Sequence, residues 1–363
     1  MHVTLLAGFD STRPSAGGTR SHVEALASYL ERSRVPFLLV TGGRHWEVED
    51  NRCRVPVHRS NSTIDFQAAL CSMIPEIPIP THSIIHAHRP DDLLPFILHR
   101  AAGPRICTLH GNPARHVPTR NGRLLSLAYA SAERFALHLT DRVIAIDSQT
   151  ASHYRAKYPK LDGRVQTIPN GVDTDVFHPM NRAEAKRAWS LEGPVFLYAG
   201  RLEPDKNVRS IVKAFRSFHG STATLALAGD GSERRLLEAE THGLSVRFLG
   251  TVPRTQMPGL INAADAALLF SDEGLSSFAL ESLACGVPVI ATPTGALPEV
   301  LHPGENGQLV SDVEEMVAAM ESILRGAIPP SSSIARTVLE YAWRNVGPRL
   351  LAAYREVWDG HAA

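Results

Sequence analysis

The chain has 363 residues, 44% of them hydrophobic and 20% charged, and Lys+Arg and Asp+Glu both number 37. At about 150 residues per domain this length predicts two soluble globular domains. The zero formal net charge argues against a dedicated nucleic-acid binder, which carries a clear basic excess. In chain order, Val3–Ala7 reads as a strand, followed by the Gly/Ser/Pro-rich loop Ser11–Thr19 and a helix over Ser21–Leu30 with apolar Val23, Leu26, Ala27 and Leu30 at helical spacing. Further strands are predicted at Phe37–Val40, Ser83–His86, Ile106–Leu109 and Arg142–Ile146, with a helix over Leu124–His138. Ile168-Pro-Asn-Gly-Val-Asp173 is a turn signal, and the polar, Pro-containing sequence up to Pro194 reads as a linker. A second alternating series follows, with strands at Val195–Ala199, Thr224–Ala228, Arg247–Leu249, Ala266–Phe270 and Pro288–Ala291. The stretch Tyr341–Trp358 reads as helical with a break or kink at Gly347-Pro348. Strands alternating with helices predict α/β architecture with parallel sheets, and two such halves predict a ligand between the carboxyl ends of their strands.

The zero net charge hides a split. Residues 1–175 hold 20 Lys+Arg and 16 Asp+Glu, a balance of +4, which leaves 17 and 21, a balance of −4, for the remainder. A more basic first half suits an anionic acceptor or a membrane surface, and ordinary variation of surface charge explains it equally well. The four cysteines, Cys53, Cys71, Cys107 and Cys285, form no CxxC pair, which fits a reducing cytoplasm. The first residues run into a strand without a basic leader, and no apolar run approaches the ~20 residues that span a bilayer. The expected location is cytoplasmic, with any membrane contact peripheral.

Several stretches carry chemistry. Gly17-Gly18, between the first strand and the first helix, lets backbone approach a phosphate, although such a pair also serves as a plain turn. Gly200-Arg201-Leu-Glu-Pro-Asp-Lys206-Asn207 places two cations at the carboxyl end of a strand. There Arg201 can grip phosphate oxygens and Lys206 can supply a point charge; the alternative is two solvated surface cations. Glu273-Gly-Leu275-Ser276-Ser277-Phe278-Ala-Leu-Glu281 follows an apolar strand and opens a helix, aiming the amides of Leu275 to Phe278 at the cleft. Glu281 can accept two hydrogen bonds from a ribose diol, and Glu273 lies nearer the cleft. The alternatives are an exposed helix residue and a helix N-terminal charge. His110-Gly111 sits at a strand end, where an imidazole can donate to a sugar hydroxyl or serve structurally. His86 and His88 face the same way on a strand end as metal ligands do, but sequence places no third ligand beside them, so no metal site is expected. The sequence has no GxxxxGK[ST] loop, GxSxG elbow or HExxH helix, and Gly229-Asp230-Gly231 reads as a tight strand-to-helix turn.

Taken in order, Gly17-Gly18-Thr-Arg-Ser-His22, His110-Gly111, Pro169-Asn-Gly-Val-Asp173, Ala199-Gly-Arg-Leu202 with Lys206-Asn207, Gly229-Asp-Gly231, Phe248-Leu-Gly-Thr-Val-Pro253 and Glu273-Gly through Glu281-Ser-Leu-Ala-Cys-Gly-Val-Pro-Val289 resemble the retaining GT-B glycosyltransferases of family 4. The resemblance covers nearly the whole chain and is strongest in its second half. It implies two Rossmann-like domains facing a central cleft. The N-terminal acceptor domain would span 1–175 and the donor domain 176–344, with a C-terminal helix from about 345 crossing back to the first.

By the same resemblance Arg201 and Lys206 neutralise the donor diphosphate. Gly17, Gly18 and the backbone of Leu275, Ser276, Ser277 and Phe278 contact phosphate and sugar. Glu281 binds ribose, and Glu273 and His110 hold the donor sugar as the catalytic pair. Where family members often carry Glu-Gly-Phe-Gly, this chain has Glu273-Gly274-Leu275-Ser276, a departure that bears on donor identity.

The implied enzyme transfers a hexosyl group from a nucleoside-diphosphate sugar to an acceptor hydroxyl with retention. It needs no cofactor or metal, because cations and helix amides stabilise the leaving diphosphate. The acceptor would be a carbohydrate or lipid-linked molecule of cell-surface polysaccharide or glycolipid assembly; the basic stretch Arg115-His116 to Arg120 and Arg123 either meets an anionic lipid-linked acceptor or is a solvated loop beside a core-facing helix. A sugar-nucleotide epimerase or hydrolase of the same fold, and a non-catalytic sugar-nucleotide-binding protein, are the alternatives.

Overall fold

Parallel strands buried on both faces need helices above and below them, and both halves of the chain meet that requirement. The computed structural model describes residues 1–12, 18–57, 63–99, 103–111, 118–218, 222–271, 277–327 and 329–362. The chain groups into two units. The first takes the N-terminal strand, Thr19–Asn170 and Val346–Ala363, and the second takes Gly171–Asn345 together with Gly18.

The first unit contains β1 (His2–Asp10), β2 (Phe37–Gly43), β3 (Glu47–Glu49), β4 (Arg52–Pro56), β5 (Ser83–Ala87), β6 (Arg105–Leu109), β7 (Arg142–Ala145) and β8 (Val165–Thr167). They pair in the order β3-β4-β2-β1-β5-β6-β7-β8, all parallel except the exposed edge strand β3. The register sets Leu5 between Leu39 and His86. The second unit contains β9 (Val195–Ala199), β10 (Thr224–Ala228), β11 (Val246–Gly250), β12 (Ala266–Leu269), β13 (Val289–Ala291) and β14 (Gly307–Leu309), in the order β11-β10-β9-β12-β13-β14. Its strands send alternate residues to opposite faces. Val195, Leu197, Ala226 and Ala267 enter one core, and Phe196, Tyr198, Leu225 and Ala266 enter the other. In both sheets the strand order reverses beside the first strand, between β1 and β5 and between β9 and β12. In open α/β sheets ligands bind outside the carboxyl ends of the strands at that reversal.

Three segments differ from the sequence expectation. The helix expected at Leu124 begins at Pro118 and runs to His138, because a proline costs nothing where a helical N–H has no partner anyway. The expected linker is packed structure. Phe177 is fully buried, Asn181 caps the helix Arg182–Ala188, and the Asn262 side chain accepts from Met180 N at 2.7 Å and donates to His178 O at 3.1 Å. The last helix, Trp343–Ala362, continues unbroken through Pro348. Gly347 lies against the Tyr29 ring where a Cβ would overlap it.

Candidate functional site

In the second unit β9 delivers Gly200 and Arg201 to the reversal point. The main chain fixes this loop. Gly200 N donates to Ala228 O and Leu202 N to Asp230 O, each at 2.9 Å, and the Tyr198 hydroxyl donates to Arg201 O at 2.8 Å. The neighbouring loop can lie this close because it carries Gly229, at φ +139°, and Gly231. A Cβ on either would overlap the carbonyl oxygens of Gly200 and Leu202 respectively. From the fixed backbone, Arg201 Nη2 reaches Asp205 Oδ2 at 3.0 Å and Lys206 Nζ lies 3.7 Å from the same oxygen. Burial, reinforced by the Arg201 charge, lowers the Lys206 amine to about 8. Two cations share one carboxylate there, so an incoming dianion finds both already oriented.

The helix Ser277–Ala284 follows β12 and is buried from Phe278 onward. Glu281 is therefore not the exposed helix residue considered from sequence. Arg254 Nη1 donates to its Oε1 at 2.8 Å, and the Arg254 guanidinium lies 5.1 Å from the Phe177 ring centroid. Burial raises the Glu281 carboxyl and Arg254 opposes that rise. A carboxylate oriented in this way is an acceptor for paired hydroxyls. The Phe278 ring is part of the core, so that residue would meet a ligand through its backbone. The Ser277 hydroxyl donates to Gly18 O at 3.3 Å, which joins two of the expected donor contacts.

In the first unit three chain segments bring imidazoles together at the β1/β5 reversal. His22 comes from the helix Gly18–Arg32, His88 from the end of β5 and His110 from the end of β6. His88 Nδ1 lies 3.1 Å from His110 Nε2, and the His22 ring centroid is 4.9 Å from that of His110 and 5.4 Å from that of His88. Burial lowers His110 to about 4 and holds His22 and His88 well below the usual imidazole value, so all three are neutral at physiological pH. Gly111, at φ +96°, turns the chain away immediately after His110. His86 packs against His88 but is engaged at both nitrogens, at 2.7 Å from the Tyr354 hydroxyl and at 2.8 Å from Thr108 Oγ1. It is a structural histidine, not a partner to His88 in ligation.

Of the expected site residues, the second unit brings together Arg201 with Lys206, and Ser277 with Gly18. Glu281 stands on the helix that Ser277 opens. His110 belongs to the first unit. Gly17, Glu273, Leu275 and Ser276 lie outside the described residues, as do Arg115 and His116. Arg254 was missed, although it directly follows the noted Phe248–Pro253 stretch. Gly229 and Gly231 were read only as a turn. Sequence gave no sign that His22 and His88 would meet His110, because 66 and 22 positions separate each from its next member.

Open parallel sheets with a cationic loop at the reversal point define an α/β protein of the kind that binds ligands at the carboxyl ends of its strands. The glycosyltransferase family 4 profile matches residues 16–176, and the glycosyl transferases group 1 profile matches residues 193–326. The chain is 27% identical over 380 residues to the GDP-mannose-dependent α-(1-6)-phosphatidylinositol dimannoside mannosyltransferase of Mycobacterium tuberculosis, covering 97% of this chain and 95% of that one. It is 30% identical over 233 residues to the D-inositol 3-phosphate glycosyltransferase of Mycobacterium marinum, covering 59% of this chain and only 50% of that protein. The chain thus spans half the length of that relative. Sucrose-phosphate synthase from Thermosynechococcus elongatus shares the fold with a TM-score of 0.82 at 20% identity, covering 99% of both chains. HepE from Anabaena, solved in complex with UDP-glucose, shares it with a TM-score of 0.76 at 17% identity, covering 98% of this chain and all of the other. The chain belongs to the family 4 glycosyltransferases, of GT-B fold.

Proposed function

We propose that the chain is a retaining glycosyltransferase that moves a sugar from a nucleoside diphosphate to an acceptor hydroxyl. The second unit serves as donor domain and the first as acceptor domain. The observation that carries this reading is the fixed loop at the end of β9, which presents Arg201 and Lys206 around Asp205. A departing diphosphate develops negative charge, and two oriented cations stabilise it without a metal. Glu281, turned by Arg254, takes the ribose hydroxyls. Ser277 and the Phe278 backbone, with Gly18, contact phosphate and sugar. The family resemblance gives Gly17, Leu275 and Ser276 the same part and gives Glu273 the donor sugar. His110, a neutral imidazole, donates to that sugar. With no covalent nucleophile assigned, the leaving phosphate takes the acceptor proton on the same face. The mannosyltransferase relative is named for a phosphatidylinositol dimannoside, which supports a lipid-linked acceptor and a place in glycolipid or cell-surface polysaccharide assembly.

A thermal-shift panel of nucleoside diphosphates and their sugars, with and without Mg²⁺, tests this. One diphosphate is expected to raise the melting temperature without Mg²⁺. Arg201→Ala is expected to weaken it about 10–100-fold, the loss of one or two charge-assisted hydrogen bonds. A panel without any shift removes the donor site and with it the transferase reading.

A further inference from the structure

We propose that Arg89 and Tyr129 bind a phosphate group carried by the acceptor, which makes the acceptor class a phosphorylated polyol, free or as a lipid headgroup. Calling this ligand the acceptor rests on the first unit's part in the proposed transferase; the phosphate site rests on the residues alone. Arg89 follows His88 at the carboxyl end of β5, beside the β1/β5 reversal of the first unit, where open α/β sheets bind ligands. Pro90 disfavours helical backbone at Arg89, which stands extended at φ −150° and ψ 141°. The proline also opens the tight turn Pro90–Leu93, in which Asp92 N donates to Arg89 O at 3.2 Å. This turn sets Asp91, 3% exposed, against the guanidinium. Arg89 Nε donates to Oδ1 at 3.2 Å and Nη2 to Oδ2 at 2.9 Å, and Gln67 Nε2, from the helix Thr63–Met73, donates to the same Oδ2 at 2.6 Å. A planar guanidinium gripped by both oxygens of a buried carboxylate is held in one orientation. The Arg89 side chain nevertheless stays 38% exposed. Arg201, 43% exposed and gripped by Asp205, stands in the same relation to the β9/β12 reversal of the second unit.

A second donor lies beside this cation. The helix Pro118–His138 packs on the Pro90–Leu93 turn and carries Tyr129. The Tyr129 hydroxyl is buried and has no hydrogen-bond partner, and such an atom calls for a missing acceptor. Burial and the Asp91 charge push the phenol up while the Arg89 charge opposes them, so the O–H sits in the field of both residues and remains a donor at physiological pH. An oriented guanidinium with an unused O–H beside it suits a group whose several oxygens can accept from both at once, and phosphate is such a group. The acids nearby do not repel it. Asp91 is matched by Arg89. Burial, and the Asp91 charge beside it, push the Asp92 carboxyl up, so it is neutral at physiological pH. Glu133, one turn beyond Tyr129, is paired with Lys157 Nζ at 2.6 Å and with the Tyr158 hydroxyl at 2.7 Å.

The test is calorimetric titration of the full chain with glycerol 3-phosphate, glucose 6-phosphate and inositol 1-phosphate, each beside its phosphate-free parent. A lipid arm uses phosphatidylcholine vesicles with and without phosphatidylinositol. At least one phosphate-bearing probe is expected to bind far more tightly than its parent; a soluble ester marks a free polyol phosphate, and the vesicle alone marks a lipid headgroup. Arg89→Gln should weaken that binding about 10–100-fold. Tyr129→Phe should weaken it about 10-fold in either arm while leaving the melting temperature unchanged or higher, because the lost hydroxyl bonds nothing in the free protein. A tyrosine that serves packing alone would keep the affinity. Arg201→Ala should leave the ester affinity unchanged, and Arg89→Gln should leave the nucleoside-diphosphate shift unchanged, so failure of this site and failure of the donor site are separate results. The proposal is overturned if no phosphate-bearing probe binds, if glucuronate binds as tightly as glucose 6-phosphate, or if Tyr129→Phe binds like the wild type. Tyr129→Phe decides the matter even where Arg89→Gln, which strands Asp91, does not fold.

Discussion

Lys206 illustrates how one side chain ties binding to pH. Its amine sits lowered to about 8 because it is buried beside Arg201. Below that pH it is a cation and the loop presents two positive charges; above it, Arg201 remains alone. Affinity for a nucleoside diphosphate is therefore expected to fall as pH rises through about 8, and Lys206→Arg should hold affinity further into the alkaline range. Isothermal titration across that window checks both, and a flat wild-type profile would remove Lys206 from the site. The stability term has the opposite sense: the charged amine opposes folding, and that opposition is relieved as pH climbs from about 8 towards the ordinary lysine value. Arg254 is the other decisive residue. Removing it strands the Glu281 carboxylate, whose side chain is 9% exposed, while the lost guanidinium was itself 34% exposed. Arg254→Ala should thus cost about 2–3 kcal/mol, between the values for surface and buried pairs, read from denaturant unfolding.

At the level of elements, the loop proposed to bind the diphosphate is held by its contact with a neighbouring loop. Gly231→Ala would press a methyl group into the Leu202 carbonyl. The backbone carrying Arg201 must then shift, at a cost of about 1–3 kcal/mol. Nucleotide affinity should drop although no cation has been removed; unchanged affinity with unchanged stability would show that the loops do not need this contact. The strands that build both reversal points were legible in the sequence, because buried parallel strands are short apolar runs: Val195–Ala199 and Thr224–Ala228 match to the residue. Short or polar elements were not. β3 is wholly exposed, β4 reads as alternating charges, and the helix Arg182–Ala188 lies in sequence that resembles a linker until Phe177 and Asn262 anchor it. Among the expected site residues, Arg201, Lys206, Glu281 and His110 could be singled out because each sits in an ordered motif. Arg254 and the His22–His88 contact could not, since long-range packing creates them.

Over the whole molecule, charge and exposed apolar surface are unevenly placed. The first 175 residues carry a balance of +4, and Leu127, Phe135 and Leu139 stand exposed at 66%, 49% and 41%, eight and then four positions apart along and just past the helix Pro118–His138. Among the described residues no helix is long and apolar enough to cross a membrane. A helix with this edge, next to basic sequence, suits attachment at an anionic bilayer surface. Co-sedimentation with anionic vesicles should be salt-sensitive and weakened in Phe135→Glu; equal recovery on neutral vesicles would remove this contact. The pairing of His86 with Tyr354 has a consequence for biogenesis. Tyr354 belongs to a segment made after the whole second unit, so a ribosome must add the intervening residues, Gly171–Asn345, before the first unit can close. At typical synthesis rates that is a wait of about 10–35 s. During it the buried end of β5 lacks its last covering, and a nascent chain in that condition is a natural client for a holding chaperone.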